Sequence, residues 1–212
     1  MALILFDLDG TLIDSEAGIV NSIRHALERL GAPIPPREDL RAWIGPPLRV
    51  TFPLVLGDDL AAVERAVDYY RERFSTVGWR EHVVYPGIGE VIEALAARGD
   101  RLAVVTTKPD LYADKIVRSL PFGARFECVY AAQPASRDSE KAAMIARALR
   151  DFGSHADDAV MVGDRHFDIE GARANGVRAL GVRWGFGSDE ELRAAGADAI
   201  ADDPPGLHAL LR

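Results

Sequence analysis

The sequence predicts an α/β chain: a parallel β-sheet covered by helices on both faces and interrupted by a small helical insertion. Three observations predict it. Short runs recur that are apolar at nearly every position, as strands buried on both faces are. Between the later runs, apolar residues fall at helical spacing. About ninety residues separate the first run from the second, far more than a crossover needs, and they too carry helical patterns.

The elements follow in order. ALILF (2–6) is the first strand and ends in Asp7-Leu8-Asp9-Gly10-Thr11. The insertion occupies residues 14–85, leaving 1–13 and 86–212 as the core. Ile19, Ile23, Ala26, Leu27 and Leu30 make one amphipathic stripe in it, and Leu60, Val63, Val67, Tyr70 and Phe74 a second. Pro33, Pro35, Pro36, Pro46 and Pro47 punctuate the interval. YPGI (85–88) marks the return, and Ile88, Val91, Ile92 and Leu95 give a core helix. RLAVVT (101–106) is a strand running into Thr107-Lys108-Pro109, and FECVYA (126–131) is another. Lys141 opens a helix carrying Ile145, Leu149 and Phe152. DAVMVG (158–163) is the next strand, followed by Asp164 and, four residues on, Asp168. VRALGV (177–182) is the last strand of the series.

Composition narrows the classes. Of 212 residues, 48% are hydrophobic, which supports a sizeable core. The net charge of -8 argues against nucleic acid or an anionic membrane as a partner. No stretch approaches the roughly 20 apolar residues of a membrane span, and no secretory leader pattern opens the chain. The single cysteine, Cys128, excludes an internal disulfide, and its apolar surroundings predict a buried thiol. The expectation is a cytoplasmic protein, a monomer or homodimer.

In a parallel sheet the ends of these strands meet at one edge, where ligands bind. That edge gathers Asp7, Asp9, Asp164, Asp168, Thr106, Thr107 and Lys141. Carboxylates brought together away from water repel by several kcal/mol. A hard cation with oxygen ligands relieves this, and Mg²⁺ suits such a set while still sharing an oxygen with a phosphate group. Lys141 and Thr106 are then available to the remaining phosphate oxygens. A lysine in a first helical turn opposes the helix dipole, which implies an anion nearby. Acids in first turns also cap helices, so Asp164 and Asp168 alone are equally consistent with capping.

Together these stretches resemble the haloacid dehalogenase superfamily, in particular its phosphatases with a small helical cap. FDLDGT looks like the first family motif, VVTT the second, Lys141 the third and GDRHFD the fourth. VYPGI, TTKPD, WGFGSDEELRAAGAD and IGPPL look like the phosphoglycolate phosphatase and 5′-nucleotidase-like branch. One departure is Ala142, where many relatives place proline after the lysine; Lys108 is the substitute if Lys141 does not fill the role. The resemblance implies a Rossmann-like sheet with an all-helical cap. It implies a Mg²⁺-dependent phosphatase of small phosphate monoesters that works through an aspartyl-phosphate. Asp7 would be the nucleophile and Asp9 the acid/base, contributing only its backbone carbonyl to the metal. Asp7, Asp164 and Asp168 would supply the other metal ligands, Asp168 directly or through water. Thr106 and Lys141 would act on the phosphoryl group, with Thr107 and the backbone at Leu8 and Gly10 also binding substrate. A dehalogenase lacks the second aspartate, so Asp9 favours phosphoryl transfer.

Other residues carry weaker signals. Arg49, after IGPPL, is placed either against a substrate carboxylate or phosphate or on the open surface. Glu16 reads as a solvated helix residue, and His166 as a surface residue beside the acids. Trp43, Trp79 and Trp184 read as packing residues, although a nucleotide base would want a pocket near Trp43 or Phe52. Two other readings remain: a phosphomutase of sugar phosphates, which shares both aspartates, and a receiver-like phospho-acceptor module, which shares the acids, hydroxyl and lysine. The substrate readings are phosphoglycolate-like acids and nucleoside 5′-monophosphates.

Overall fold

The computed structural model describes residues 1–133 and 140–212. They divide into two compact units, Met1–Asp14 with Val84–Arg212, and Ser15–Val83.

The first unit opens with β1 (Leu3–Phe6) and a two-residue strand, β2 (Ile13–Asp14). The second unit is helical: α1 (Glu16–Leu30), α2 (Arg37–Arg41), α3 (Leu48–Thr51), α4 (Pro53–Leu56) and α5 (Leu60–Thr76). The stripes expected there bury Ile19, Ile23, Ala26 and Leu27 on α1 and Val63, Val67 and Phe74 on α5. Leu60 differs, being 77% exposed. It is the first residue of α5, one turn before the buried stripe begins, and the helix is started instead by Asp59, whose carboxylate accepts the Ala62 N–H at 2.9 Å. Trp43 and Phe52 pack edge to face at 6.1 Å and are buried, so they fill the core of this unit rather than line an open aromatic pocket. Glu16 is not solvated either. It pairs with Arg37 at 2.6 Å and Arg41 at 3.5 Å, tying α1 to α2.

The chain returns along β3 (Val83–Val84) into α6 (Ile88–Arg98), β4 (Arg101–Pro109), α7 (Asp110–Ser119) and β5 (Cys128–Ala132). It continues through α8 (Lys141–Phe152), β6 (Ala159–Gly163), α9 (His166–Ala174) and β7 (Arg178–Val182). It ends in α10 (Asp189–Ala194), β8 (Ala199–Ala201) and α11 (Pro204–Leu210). Six strands form one sheet in the order β5-β4-β1-β6-β7-β8, and every pairing is parallel. The core runs outward from β1 in one direction through β4 and β5, then in the other through β6, β7 and β8. This is the doubly wound, Rossmann-type arrangement, and its switch point lies between β1 and β6.

Alternation along β1 explains the two covered faces. Leu3 and Leu5 join Ala103, Val105, Ala159, Met161 and Ala179 on one face, against Met144, Ile145, Ile169 and Leu192 of α8, α9 and α10. Ile4 and Phe6 point the other way, where Phe6 meets Phe126 edge-on at 6.1 Å. Two expectations differ. β8 has only three residues between acids, too short to register as a strand in the sequence. Cys128 is exposed, not buried: β5 is the sheet's edge strand, and its first residue lies at the open end of that edge.

Candidate active site

The switch point places the end of β1 beside the end of β6, and the site is built there. Phe6 pairs with Val162 across the two strands, and the Asp7 N–H donates to the Val162 carbonyl at 2.9 Å. Asp7, Asp164 and Asp168 are all buried, and one carboxylate oxygen from each lies within 4.8 Å of the others. Asp164 follows β6 directly, whereas Asp168 sits one turn into α9. Asp168 also caps that helix, since its Oδ2 accepts the Arg165 N–H at 3.1 Å. Capping and a place in the cluster therefore coexist in one side chain, using different oxygens.

Lys141 is the cation among them. Its Nζ donates to Asp7 Oδ1 at 2.8 Å and to the Val105 carbonyl at 2.9 Å. It also lies 2.7 Å from Asp168 Oδ1, an ion-pair contact without hydrogen-bond alignment. This is the anion that a lysine at the start of α8 was expected to need. Burial opposes the charge on Lys141, but Asp168 and Asp7 outweigh it and hold its pKa above the usual lysine value. One ammonium does not balance three acids. Burial pushes the Asp7 carboxyl up to about 6, against the pull of Lys141. Burial, with Asp168 and Asp7 adding to it, raises Asp164 well above the ordinary carboxylate range.

A divalent cation fits this donor set. Among the described residues, Asp164 Oδ1 is buried with no hydrogen-bond partner, while its Oδ2 accepts the Phe186 N–H at 2.7 Å. One oxygen is thus fixed by backbone and the other is left aimed among carboxylates, an arrangement that costs free energy unless a cation or a proton completes it. All the donors are hard oxygens, as Mg²⁺ prefers.

Glycines let the acids come this close. Gly10 turns at φ 85°, and a Cβ there would lie 2.1 Å from Asp164 Oδ2. A Cβ on Gly185 would lie 2.3 Å from Asp164 Cβ and 2.5 Å from the Gly10 carbonyl oxygen. Gly185→Ala is therefore expected to displace Asp164. A drop of about 100-fold in turnover should accompany a stability loss of about 1–3 kcal/mol. Steady-state kinetics and thermal melts check both.

The other expected residues fall as follows. Thr106 is buried at the end of the regular part of β4, and its Oγ1 accepts the Lys108 N–H at 3.2 Å. Thr107 is exposed. Leu8 is buried, and its carbonyl accepts N–H groups from Leu12 at 3.0 Å and Ile13 at 3.1 Å. The Gly10 N–H donates to the Ile13 carbonyl at 2.8 Å within the turn after β1. Asp9 is paired with Lys108, at 2.9 and 3.0 Å from its two oxygens. Arg49 belongs to the helical unit, where its guanidinium makes a two-pronged pair with Glu64 at 2.6 and 2.8 Å.

Three supporting features escaped the sequence reading. Phe186 orients Asp164 through its backbone. Trp184 donates its indole N–H to the Thr11 carbonyl at 3.1 Å, anchoring the loop after β7 to the turn after β1. Glu191 accepts from Arg165 Nε at 2.8 Å and from the His166 N–H at 2.9 Å, and lies 2.7 Å from His166 Nδ1. Burial opposes its ionisation, but the His166 N–H and Arg165 prevail and hold its pKa down at about 2. His166 is thus engaged with Glu191 rather than simply solvated. The signal was present in WGFGS, a glycine-rich loop at the carboxyl end of a parallel strand.

The structure is a doubly wound parallel α/β sheet with a cluster of three buried acids at its switch point. The chain belongs to the haloacid dehalogenase-like hydrolase family, whose sequence pattern matches residues 4–182. It is 44% identical over 191 residues to a 5′-nucleotidase of Pseudomonas aeruginosa, covering 90% of this chain and 86% of that one. It is 38% identical over 186 residues to the tyrosine-protein kinase PtkA of Mycobacterium bovis, covering 87% of this chain and 63% of that longer protein. A solved haloacid dehalogenase-like family hydrolase of Streptococcus pneumoniae superposes with a TM-score of 0.93 at 32% identity, covering 100% of this chain and 99% of that one.

Proposed function

We propose that the chain is a Mg²⁺-dependent phosphatase of small phosphate monoesters, working through an aspartyl-phosphate on Asp7. The observation that carries this is the buried trio Asp7, Asp164 and Asp168, with Asp164 Oδ1 lacking a hydrogen-bond partner among the described residues. Asp7 and Asp164, the backbone carbonyl of Asp9, and Asp168 directly or through water would hold the cation. When bound, Mg²⁺ supplies positive charge for the phosphoryl oxygens and keeps Asp7 ionised.

The residues then divide the work. An Asp7 oxygen attacks phosphorus; the bond to the leaving oxygen breaks, and that oxygen takes the proton of the Asp9 carboxyl, giving an alcohol. In the second half a water oxygen attacks phosphorus, the Asp7–phosphorus bond breaks, and Asp9 takes the water's proton, giving inorganic phosphate. A general acid placed so is worth about 10²–10⁴ in rate. Thr106 accepts from the Lys108 backbone, which leaves its own O–H to donate to a phosphoryl oxygen. Lys141 neutralises the same group while steadying Asp7. The helical unit, Ser15–Val83, is the candidate cap domain.

The 44% identity to a 5′-nucleotidase favours a nucleoside 5′-monophosphate over a phosphoglycolate-like acid. A phosphate-release screen over both classes, with Asp7→Asn as the blank, tests the reading. Free phosphate as the main product excludes a phosphomutase or transfer to another hydroxyl. A single stoichiometric phosphorylation without turnover would restore the phospho-acceptor reading. Arg49→Ala is expected to lower kcat/KM for carboxylate-bearing substrates by about 10-fold and for nucleotides by less than about threefold. Equal losses on both would remove Arg49 from specificity.

A further inference from the structure

The side-chain pair Asp9–Lys108 lies outside the carboxylate trio Asp7, Asp164 and Asp168. Lys108 is buried, its side chain only 5% exposed, and its Nζ spans both Asp9 oxygens at 2.9 and 3.0 Å. The two residues are 99 positions apart in sequence and meet because β1 and β4 are paired neighbours. The strand is irregular where Lys108 sits. Pairing of β4 with β5 runs regularly to Thr106 opposite Ala131, then resumes at Pro109 opposite Ala132, so Thr107 and Lys108 bulge out of the ladder. A bulge re-aims a side chain, and this one is pinned by the Thr106 hydroxyl accepting the Lys108 N–H at 3.2 Å. The sheet thus departs from regularity at the residue that grips Asp9.

We propose that Lys108 is a positioning residue that holds the Asp9 carboxyl in line with the leaving-group oxygen. This rests on the proposed role of Asp9. The Asp9 side chain is 16% exposed, and Lys108 holds it through both carboxylate oxygens. A misplaced proton donor costs rate only where the leaving group needs a proton. Alkyl phosphates, whose alkoxides are strongly basic, need one; 2,4-dinitrophenyl phosphate does not.

The test compares Lys108→Gln and Lys108→Arg on an alkyl phosphate and on 2,4-dinitrophenyl phosphate. Lys108→Gln should lose about 30–100-fold in kcat on the alkyl ester, with KM changed less, and under about fivefold on the dinitrophenyl ester. Lys108→Arg should recover a large part of the alkyl loss. In an Asp9→Asn background, Lys108→Gln should cost little more, because the two act as one unit. Activity on the dinitrophenyl ester shows that the variant is folded. Equal losses on both esters, or additive losses with Asp9→Asn, would overturn the proposal while leaving the phosphatase reading intact. If the unaltered protein releases no phosphate from either ester, the phosphatase reading fails and this proposal fails with it.

Discussion

Asp7→Asn is expected to cut phosphate release by at least about 10⁴-fold while the protein still folds. Asparagine keeps the shape of the side chain but offers no carboxylate to form the acyl phosphate. Folding should survive because Lys141 retains the Val105 carbonyl at 2.9 Å and Asp168 at 2.7 Å. The loss should be uniform across leaving groups, since every substrate needs the nucleophile. This separates Asp7 from Lys108, whose loss should depend on the leaving group. A phosphate-release assay with a thermal melt on the same sample checks both parts. Turnover above roughly a hundredth of the unaltered protein would assign the attack to another group.

Asp164→Asn is expected to abolish activity and yet raise the melting temperature of the metal-free protein. Asp164 is buried, with its pKa raised by burial first and by Asp168 and Asp7 after that. A carboxyl whose folded pKa exceeds its unfolded value binds protons more tightly when folded. Its contribution to stability is therefore present at low pH and is lost as pH rises from 3.8 through the folded value. Asp7 adds the same trend between 3.8 and about 6. As the pH rises and Asp164 ionises, the metal-free protein carries a growing cost, and the asparagine variant carries less. Each kcal/mol relieved should raise the melting temperature by roughly 2–4 °C, with the gap closing as the pH falls. Asn Oδ1 can still accept the Phe186 N–H, so the loop after β7 stays in place. Adding Mg²⁺ should stabilise the unaltered protein and not the variant, because only a bound cation shifts the melting point by mass action. Differential scanning fluorimetry at pH 5 and pH 8, with and without Mg²⁺, reads all four conditions.

The strands that carry the site were legible because they are buried on both faces. ALILF and DAVMVG advertise themselves, and each ends in an aspartate that a buried strand has no reason to hold. Lys141 was legible from its awkward place in a helical first turn. What stayed hidden depends on neighbours across the sheet. Cys128 reads as buried until β5 is known to be an edge strand, and nothing local reports strand order. The Asp9–Lys108 pair joins residues 99 apart, and the bulge that aims Lys108 leaves no mark in TTKP. Phe186 acts through its backbone, so its identity carries no signal. Trp43 and Phe52 offered a base-binding pocket in the sequence, but packing against each other fills that space.

The central claim is that Asp7 accepts the phosphoryl group. Its most direct test is to quench a turnover reaction in acid within the first catalytic cycle and treat the protein with borohydride, which reduces an acyl phosphate to an alcohol. Peptide mass spectrometry should find homoserine at position 7, in a Mg²⁺-dependent amount, and at no other aspartate. Continued release of inorganic phosphate with Asp7 unmodified, or with the alcohol at another carboxylate, would contradict the account.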